Sequence, residues 1–504
     1  MFNGNGKTNR STPRHAASRR SALKLGGLAI AGTALGAGLP ALAEATDGAD
    51  YTVRQSYDTI VVGAGLAGLI AARELRAKGR RVLVLEARDR IGGRTWTDTF
   101  NDYQIERGGA WVDPKQPHIW REISRYGLKI VADAGPERVL MPTTSGFAEY
   151  DPVTAYTRQG ELFTPFFEGS QEYFPKPYAP FTREDLITPL DRLSLRDRLD
   201  QLAYAPEDEI RMTSTTGLYG APTSRGSLLE LAQWWALSGW NYEGFAGINT
   251  YRMEQGTAAL ANAILADGKP DLKLKSPVAS VTQQNGQVKV VTRAGAAYWA
   301  AEVVMAVPVN VWKKITFSPV LPQAYRDATT QGYGVPRQKK VWLDLATPTD
   351  RFIAEAPEGH PFVIMGRMNE NAPVVAFTID TTLNLASHAA VEAAVRKILP
   401  SATLRSYTVC DWQADEFSLG GPAYRQPNQL TKLHRAINQP FGKVKFCGDD
   451  IALGWAGYMD GAIESGLRVA GSPTLSPSPA IAPSTRGLAV PNADPKIYRS
   501  MVGL

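Results

Sequence analysis

Cysteine and histidine are scarce. Two cysteines, Cys410 and Cys447, and five histidines, His15, His118, His360, His388 and His434, occur in 504 residues. Two thiols exclude a disulfide-dense scaffold. The scattered histidines and lone cysteines exclude the ligand spacings of zinc and iron–sulfur centres, so no metal site is expected. Nor do they make a nucleophile–base triad. Cys410 and Cys447 sit in apolar, strand-like stretches; a pair remains open, and two buried thiols are the expectation. For His118, a structural hydrogen bond is expected rather than a place in a pocket wall. An excess of one charge is also missing. Six of the 55 basic residues fall in residues 1–43, which carry no acid, leaving 49 bases against 49 acids. A balanced remainder gives no footprint for nucleic acid. No apolar run of 18 or more residues follows residue 43, so stable membrane insertion is not expected. No internal repeat is present.

Glycine, with 46 residues, is abundant, and three glycines organise the chain. The stretch from Tyr57 to Glu86 reads as a short β-branched strand through Ile60–Val62, the turn Gly63-Ala64-Gly65-Leu66-Ala67-Gly68, a helix to Lys78, and a second buried strand at Val82–Leu85. This is a βαβ unit with G-x-G-x-x-G at its first turn. Such glycines permit a tight turn, close approach to a pyrophosphate, and close helix–strand packing. The helix N-terminus offers free N–H groups to the phosphates. Glu86 follows the first glycine by about the interval expected of a carboxylate that binds ribose hydroxyls, and it argues against a 2′-phosphate. A dinucleotide is expected; the motif by itself leaves NAD and FAD open.

The next residues favour FAD. Glu86-Ala87-Arg88-Asp89-Arg90-Ile91-Gly92-Gly93-Arg94-Thr95 supplies a second glycine pair and an arginine that a nicotinamide enzyme does not need. With Gly108-Gly109-Ala110-Trp111-Val112, Phe446-Cys447-Gly448-Asp449-Asp450 and Gly457-Tyr458-Met459-Asp460-Gly461, this stretch resembles the flavin-containing amine oxidase family. The resemblance spans roughly residues 58–469. Gln116-Pro117-His118-Ile119-Trp120 and Gly239-Trp240-Asn241-Tyr242 are most similar to bacterial nicotine and pseudooxynicotine amine oxidases. It implies an α/β fold: a Rossmann-type FAD-binding domain with an inserted α+β substrate-binding domain.

The segments follow from composition. Lys7 to Lys24 is a basic leader in which Ser18-Arg19-Arg20-Ser21-Ala22-Leu23-Lys24 resembles a twin-arginine export signal, and Ala41-Leu42-Ala43 is a small-x-small cleavage site. Residues 1–43 are expected to be a signal peptide, and the mature protein periplasmic or secreted. Residues 51–130, 251–320 and 425–471 are assigned to the FAD-binding domain, 131–250 and 321–424 to the substrate-binding domain, and 472–504 to a Pro/Ser-rich tail. Between Pro117 and Asn249 lies a helical block. Ser194-Leu195-Arg196-Asp197 reads as a capping box, Pro206 opens an acid-led helix, and Leu228–Leu237 carries Trp234 and Trp235. Most of its aromatics are expected in the core, with Tyr219 and Trp240 assigned to the substrate pocket. Asn285-Gly286 signals a hairpin, and Lys340–Leu345 alternates as a half-buried strand does.

The resemblance also implies chemistry. A hydride leaves the carbon next to an amine nitrogen for the flavin N5, and the resulting imine hydrolyses to a carbonyl. The cofactor residues carried over are Gly63, Gly65, Leu66, Ala67, Gly68, Glu86, Ala87, Arg88, Gly93, Arg94, Gly109, Ala110, Trp111, Val112, Val278, Trp412, Gly448, Asp449, Tyr458 and Met459. Lys340 resembles the family lysine that reaches flavin N5 through water, with Lys339 pointing the other way. Tyr458 matches one wall of an aromatic cage, and Trp455 is assigned to the pocket floor. The other wall is Pro422 where many members have an aromatic, unless Tyr424 swings in. Gly421 stands where mitochondrial monoamine oxidases carry the flavin-attaching cysteine, so FAD is expected to be non-covalent. A small-molecule amine is the expected substrate, with dioxygen or a periplasmic cytochrome as acceptor; the oligomeric state is left open. Two alternatives stand: an L-amino-acid oxidase, with Arg367 as the carboxylate-binding candidate, and a flavin-bearing binding or electron-carrier protein without turnover.

Overall fold

The structure is a computed structural model of the whole chain; it describes residues 56–476 apart from 221, 335–336 and 371. The leader and most of the tail lie outside the described residues.

The strand Ser56–Val62 is buried at Tyr57 and from Thr59 onward, and it leads directly into the glycine turn. It pairs in parallel with Val82–Leu85 on one side and with Ala297–Met305 on the other. Asp271–Lys273 extends the parallel run beyond Val82–Leu85. Beyond Ala297–Met305 come Gln287–Thr292 and Val278–Gln284, an antiparallel hairpin around Asn285-Gly286, and then Thr316–Ser318. Val444–Phe446 adds in parallel to Ala297–Met305 and completes eight strands. Asn285 and Gly286 both have positive φ, +51° and +75°, as a two-residue hairpin turn requires.

Two helices cover this sheet at the turn. Leu66–Ala77 buries nine of its twelve residues, and Met459–Val469 packs across it at Gly466, where an added Cβ would lie 2.5 Å from the Ala67 carbonyl. Glycine there sets the closeness of the two helices.

A second, seven-stranded sheet runs in the order Leu404–Cys410, Lys339–Leu345, Val374–Thr378, Ile364–Arg367, Phe352–Glu355, Arg138–Thr143, Gly146–Tyr150. All its pairings are antiparallel except that of Phe352–Glu355 with Arg138–Thr143. One layer of buried aliphatics, including Val341, Leu343, Val374 and Ala376, packs it against the helix His388–Arg396. The helical block forms its own core around Phe163, Phe167, Trp234, Trp235 and Phe245. The capping box is made: Ser194 accepts from the Asp197 N–H at 3.1 Å, and Asp197 accepts from the Ser194 N–H at 2.7 Å. Both cysteines are free and buried, and burial pushes the Cys410 thiol up to about 11 and the Cys447 thiol up to about 12.

Candidate active site

A cavity of about 380 Å³ is lined at one end by the glycine turn and at the other by residues of the second sheet and the helical block. At the turn, Gly63 has φ +104°, and an added Cβ would meet the Ala306 carbonyl oxygen at 2.6 Å. The helix that follows starts at Gly65 with no side-chain cap, leaving its first N–H groups to the cavity, which Gly65, Leu66 and Ala67 line. Gly68 does not line it. An added Cβ there would sit 2.0 Å from the Gly63 carbonyl oxygen, so this glycine serves packing. Glu86 is buried, and accepts from the Ala64 N–H at 2.7 Å and the Arg88 N–H at 2.8 Å. Ala87, Arg88 and Val278 join it on the wall.

The Gly92-Gly93 pair lies against the turn: Gly92 N–H donates to the Ala64 carbonyl at 2.8 Å. Arg94 is then held by three remote groups, donating to Asp449 and Asp450 at 2.6 Å each and to the Gly421 carbonyl at 2.7 Å. Burial pushes the Asp449 carboxyl up to about 6, against the pull of Arg94. Gly93, Arg94, Gly109, Ala110, Trp111, Trp412, Gly448, Asp449, Tyr458 and Met459 all line the middle of the cavity. Val112 does not; it faces the core beside Ile119 and Ile123, because side chains alternate along its short strand.

The far end holds the chemistry-bearing groups. Lys340 is buried at 7% exposure and reaches the cavity, whereas Lys339 points away to Asp411 at 3.2 Å. Lys340 Nζ donates to the Glu106 carbonyl at 3.2 Å and to the Gly108 carbonyl, and lies 5.3 Å from the Trp111 ring centroid. Burial lowers its amine to about 8. Phe377, its cross-strand partner on the same sheet, lines the cavity beside it, as do Ile364, Val375 and Tyr458.

Three pocket assignments need correction. Trp240 lies outside the cavity wall, packed on the helical core with its backbone in the left-handed region at φ +56°. The wall residue is Trp234, whose ring stands edge-on to Tyr458 at 4.9 Å and 82°, with its indole N–H donating to the Ala456 carbonyl at 3.1 Å. Helix periodicity aims Trp234 inward, while Trp240 lies past the helix end. Tyr424 is buried behind Trp234, at 5.3 Å, its hydroxyl donating to the Ser227 carbonyl, so it does not complete a cage. Trp455 is fully buried behind Tyr458 at 5.1 Å and donates to the Lys115 carbonyl; it supports the tyrosine rather than flooring the pocket. Pro422 does line the cavity. The Tyr219 side chain lies outside what the structure describes. Arg367 also lies off the cavity, donating to the Thr349 carbonyl at 2.9 Å. His118 makes the expected structural bond, to Asp460 at 2.9 Å.

Sequence reasoning missed Ile364, Val375 and Phe377. Nothing local in their stretches said which face would meet the cavity. Among the described wall residues the carboxylates are Glu86 and Asp449, the first at the turn and the second tied to Arg94. The far end therefore offers a cationic amine no counter-ion, and favours the neutral form. The glycine cradle, the uncapped helix and the ribose-type carboxylate fit FAD laid along the cavity.

Comparison with known proteins agrees. A family model described as flavin containing amine oxidoreductase matches residues 66–472. A nicotine dehydrogenase of Pseudomonas putida is 34% identical over 468 residues, 90% of this chain and 96% of the relative. A pseudooxynicotine dehydrogenase of a Pseudomonas species is 33% identical over 425 residues, 82% of this chain and 85% of the relative. A solved putrescine oxidase with bound putrescine has a TM-score of 0.72 at 23% identity, over 82% of this chain and 98% of that one; this is a likeness of fold.

Proposed function

The chain belongs to the flavin-containing amine oxidoreductases, and from that premise we propose that it oxidises a nicotine- or pseudooxynicotine-like amine against a non-covalently held FAD, in the periplasm or outside the cell. It is an FAD-dependent enzyme of amine oxidation. When bound, the flavin supplies the hydride acceptor. The protein supplies the rest. Lys340 holds a polar contact at an otherwise apolar end, Tyr458 and Trp234 form a right-angled aromatic corner, and Ile364, Val375 and Phe377 keep the amine dry.

One observation carries the substrate reading: Pro422, not an aromatic, lines the cavity, and its far end has no carboxylate among the described residues. A bulky, ring-bearing secondary amine suits that space better than a slim, charged one. The two relatives named for nicotine and pseudooxynicotine support the same class. Gly421, which cannot bond to a flavin, supports reversible binding, and the leader with Arg19-Arg20 supports twin-arginine export. Electrons then pass to dioxygen or to a periplasmic cytochrome.

The test is anaerobic titration of the yellow protein with nicotine, pseudooxynicotine, simple alkylamines and L-amino acids. Bleaching by the pyridyl amines at the lowest concentrations is expected. Preferential bleaching by amino acids would refute the proposal. Reoxidation with dioxygen and with a cytochrome c, compared separately, identifies the acceptor.

A further inference from the structure

At the Glu86 end of the cavity a half-buried phenylalanine is held between two guanidinium groups. Arg88 Cζ lies 5.4 Å from the Phe417 ring centroid and Arg293 Cζ lies 5.3 Å from it. Arg88, Arg293, Phe417 and Ser418 all line the cavity, beside Ser276 and Val278. The residues flanking Phe417 are tied to the same two arginines. Arg88 engages Asp415 with two nitrogens and donates to the Ser418 hydroxyl at 2.9 Å; Arg293 donates to Glu416 at 2.8 Å.

The two arginines stand on fixed backbone. Lys275 N–H donates to the Arg88 carbonyl, Ser276 N–H to the Glu86 carbonyl, and Arg293 N–H to the Pro277 carbonyl, at 2.8, 2.8 and 2.7 Å. The segment they hold is built differently. The N–H groups of Phe417, Ser418 and Leu419 all turn back on Asp415. The turn is anchored at its far side, where Gly420 N–H donates to the Trp412 carbonyl and Asn310 donates to the Leu419 carbonyl, both at 3.0 Å. Leu419 sits between them at φ +53°. A self-contained turn thus leans on rigid walls through side chains alone among its described contacts.

We propose that residues 415–418 are a gate over the Glu86 end of the cleft, closed in this structure, and that its opening sets the rate at which FAD leaves and enters. Phe417 covers the adenosine portion that Glu86 marks, and Arg88 and Arg293 hold it shut. The inference rests on the reading that FAD is not covalently attached. Cation–π contacts and partly exposed ion pairs are individually weak, and the Arg293–Glu416 pair is 41% and 59% exposed. The Arg293 side of the closure is therefore the weaker, salt-responsive one, and the Arg88–Asp415 pair, 13% and 29% exposed, is the firmer side.

The test follows release of FAD from the full-length, flavin-loaded protein, as the growth of free-flavin fluorescence after dilution. Phe417→Ala and Arg293→Ala are each expected to release FAD about tenfold faster than wild type, on the scale of losing one or two such contacts. Raising salt from about 0.05 M to about 1 M should speed release from wild type more than from Arg293→Ala. Arg293→Ala alters a side chain that is 41% exposed and outside the core, so it reads the gate even if Phe417→Ala fails to fold. Release rates in Arg293→Ala and the folded Phe417 variant within about twofold of wild type, less than one such contact is worth, would overturn the gate alone. Flavin that stays with acid-precipitated polypeptide would overturn the reversible-binding reading, and is recognised before any rate is measured.

Discussion

Two neighbouring lysines with the same side chain have opposite fates. Lys339 meets Asp411 at the surface, and Lys340 is buried beside Trp111 and Phe377. The alternation of a strand requires that they differ, but does not say which faces in. The buried one carries a pH signature. Its amine is lowered from 10.5 to about 8 by burial. Below pH 8 native and unfolded chains both hold the proton, and above 10.5 neither does. Between those values the unfolded chain holds a proton the native one has released, so stability rises with pH. Relative to Lys340→Met, wild type should gain on the order of 3 kcal/mol across that window. Urea unfolding of both proteins at a series of pH values measures it; parallel curves would remove Lys340 from the buried wall.

At the scale of elements, the helix Met459–Val469 is the piece on which the site depends. Tyr458, which caps it, and its first residue, Met459, line the cavity, and its next, Asp460, is buried and fastens it to the helix Pro117–Arg125. Asp460 accepts from the His118 N–H at 2.7 Å, the Ile119 N–H at 3.0 Å and the His118 ring at 2.9 Å. Burial pulls the His118 imidazole down, but Asp460 more than offsets it and leaves it raised. That part of the stability is complete below the ordinary histidine value and is lost as pH rises through the folded one. Asp460→Ala strands three buried donors and should cost about 3–5 kcal/mol, with Asp460→Asn milder. Thermal unfolding measures both. If the alanine variant melts like wild type, the fastening is not what holds Tyr458 in place.

Across the whole molecule, the cofactor cleft is assembled from distant stretches: the glycine turn, the Arg94 loop, Val278, the 412–422 loop and the closing helix. FAD should therefore act as a structural member. At a hundredfold excess over Kd it would add roughly 2.7 kcal/mol, by mass action. Removing the flavin should lower Tm, and adding FAD should restore it in a concentration-dependent way. A Tm indifferent to FAD would mean that the folded and unfolded chains bind it equally.

The sequence by itself determined the βαβ unit, the glycine turn and the place of Glu86, because some thirty contiguous residues carry all the information such a unit needs. It also marked Lys340 and Tyr458, whose neighbouring residues are distinctive. Only the tertiary structure decided that Trp234 and not Trp240 forms the wall, that Tyr424 and Trp455 stand behind it, and that Phe417 closes over the Glu86 end. Those choices depend on how one helix is rotated against remote strands and loops. Rotation of that kind is set by packing between segments far apart in the chain, and no local spacing encodes it.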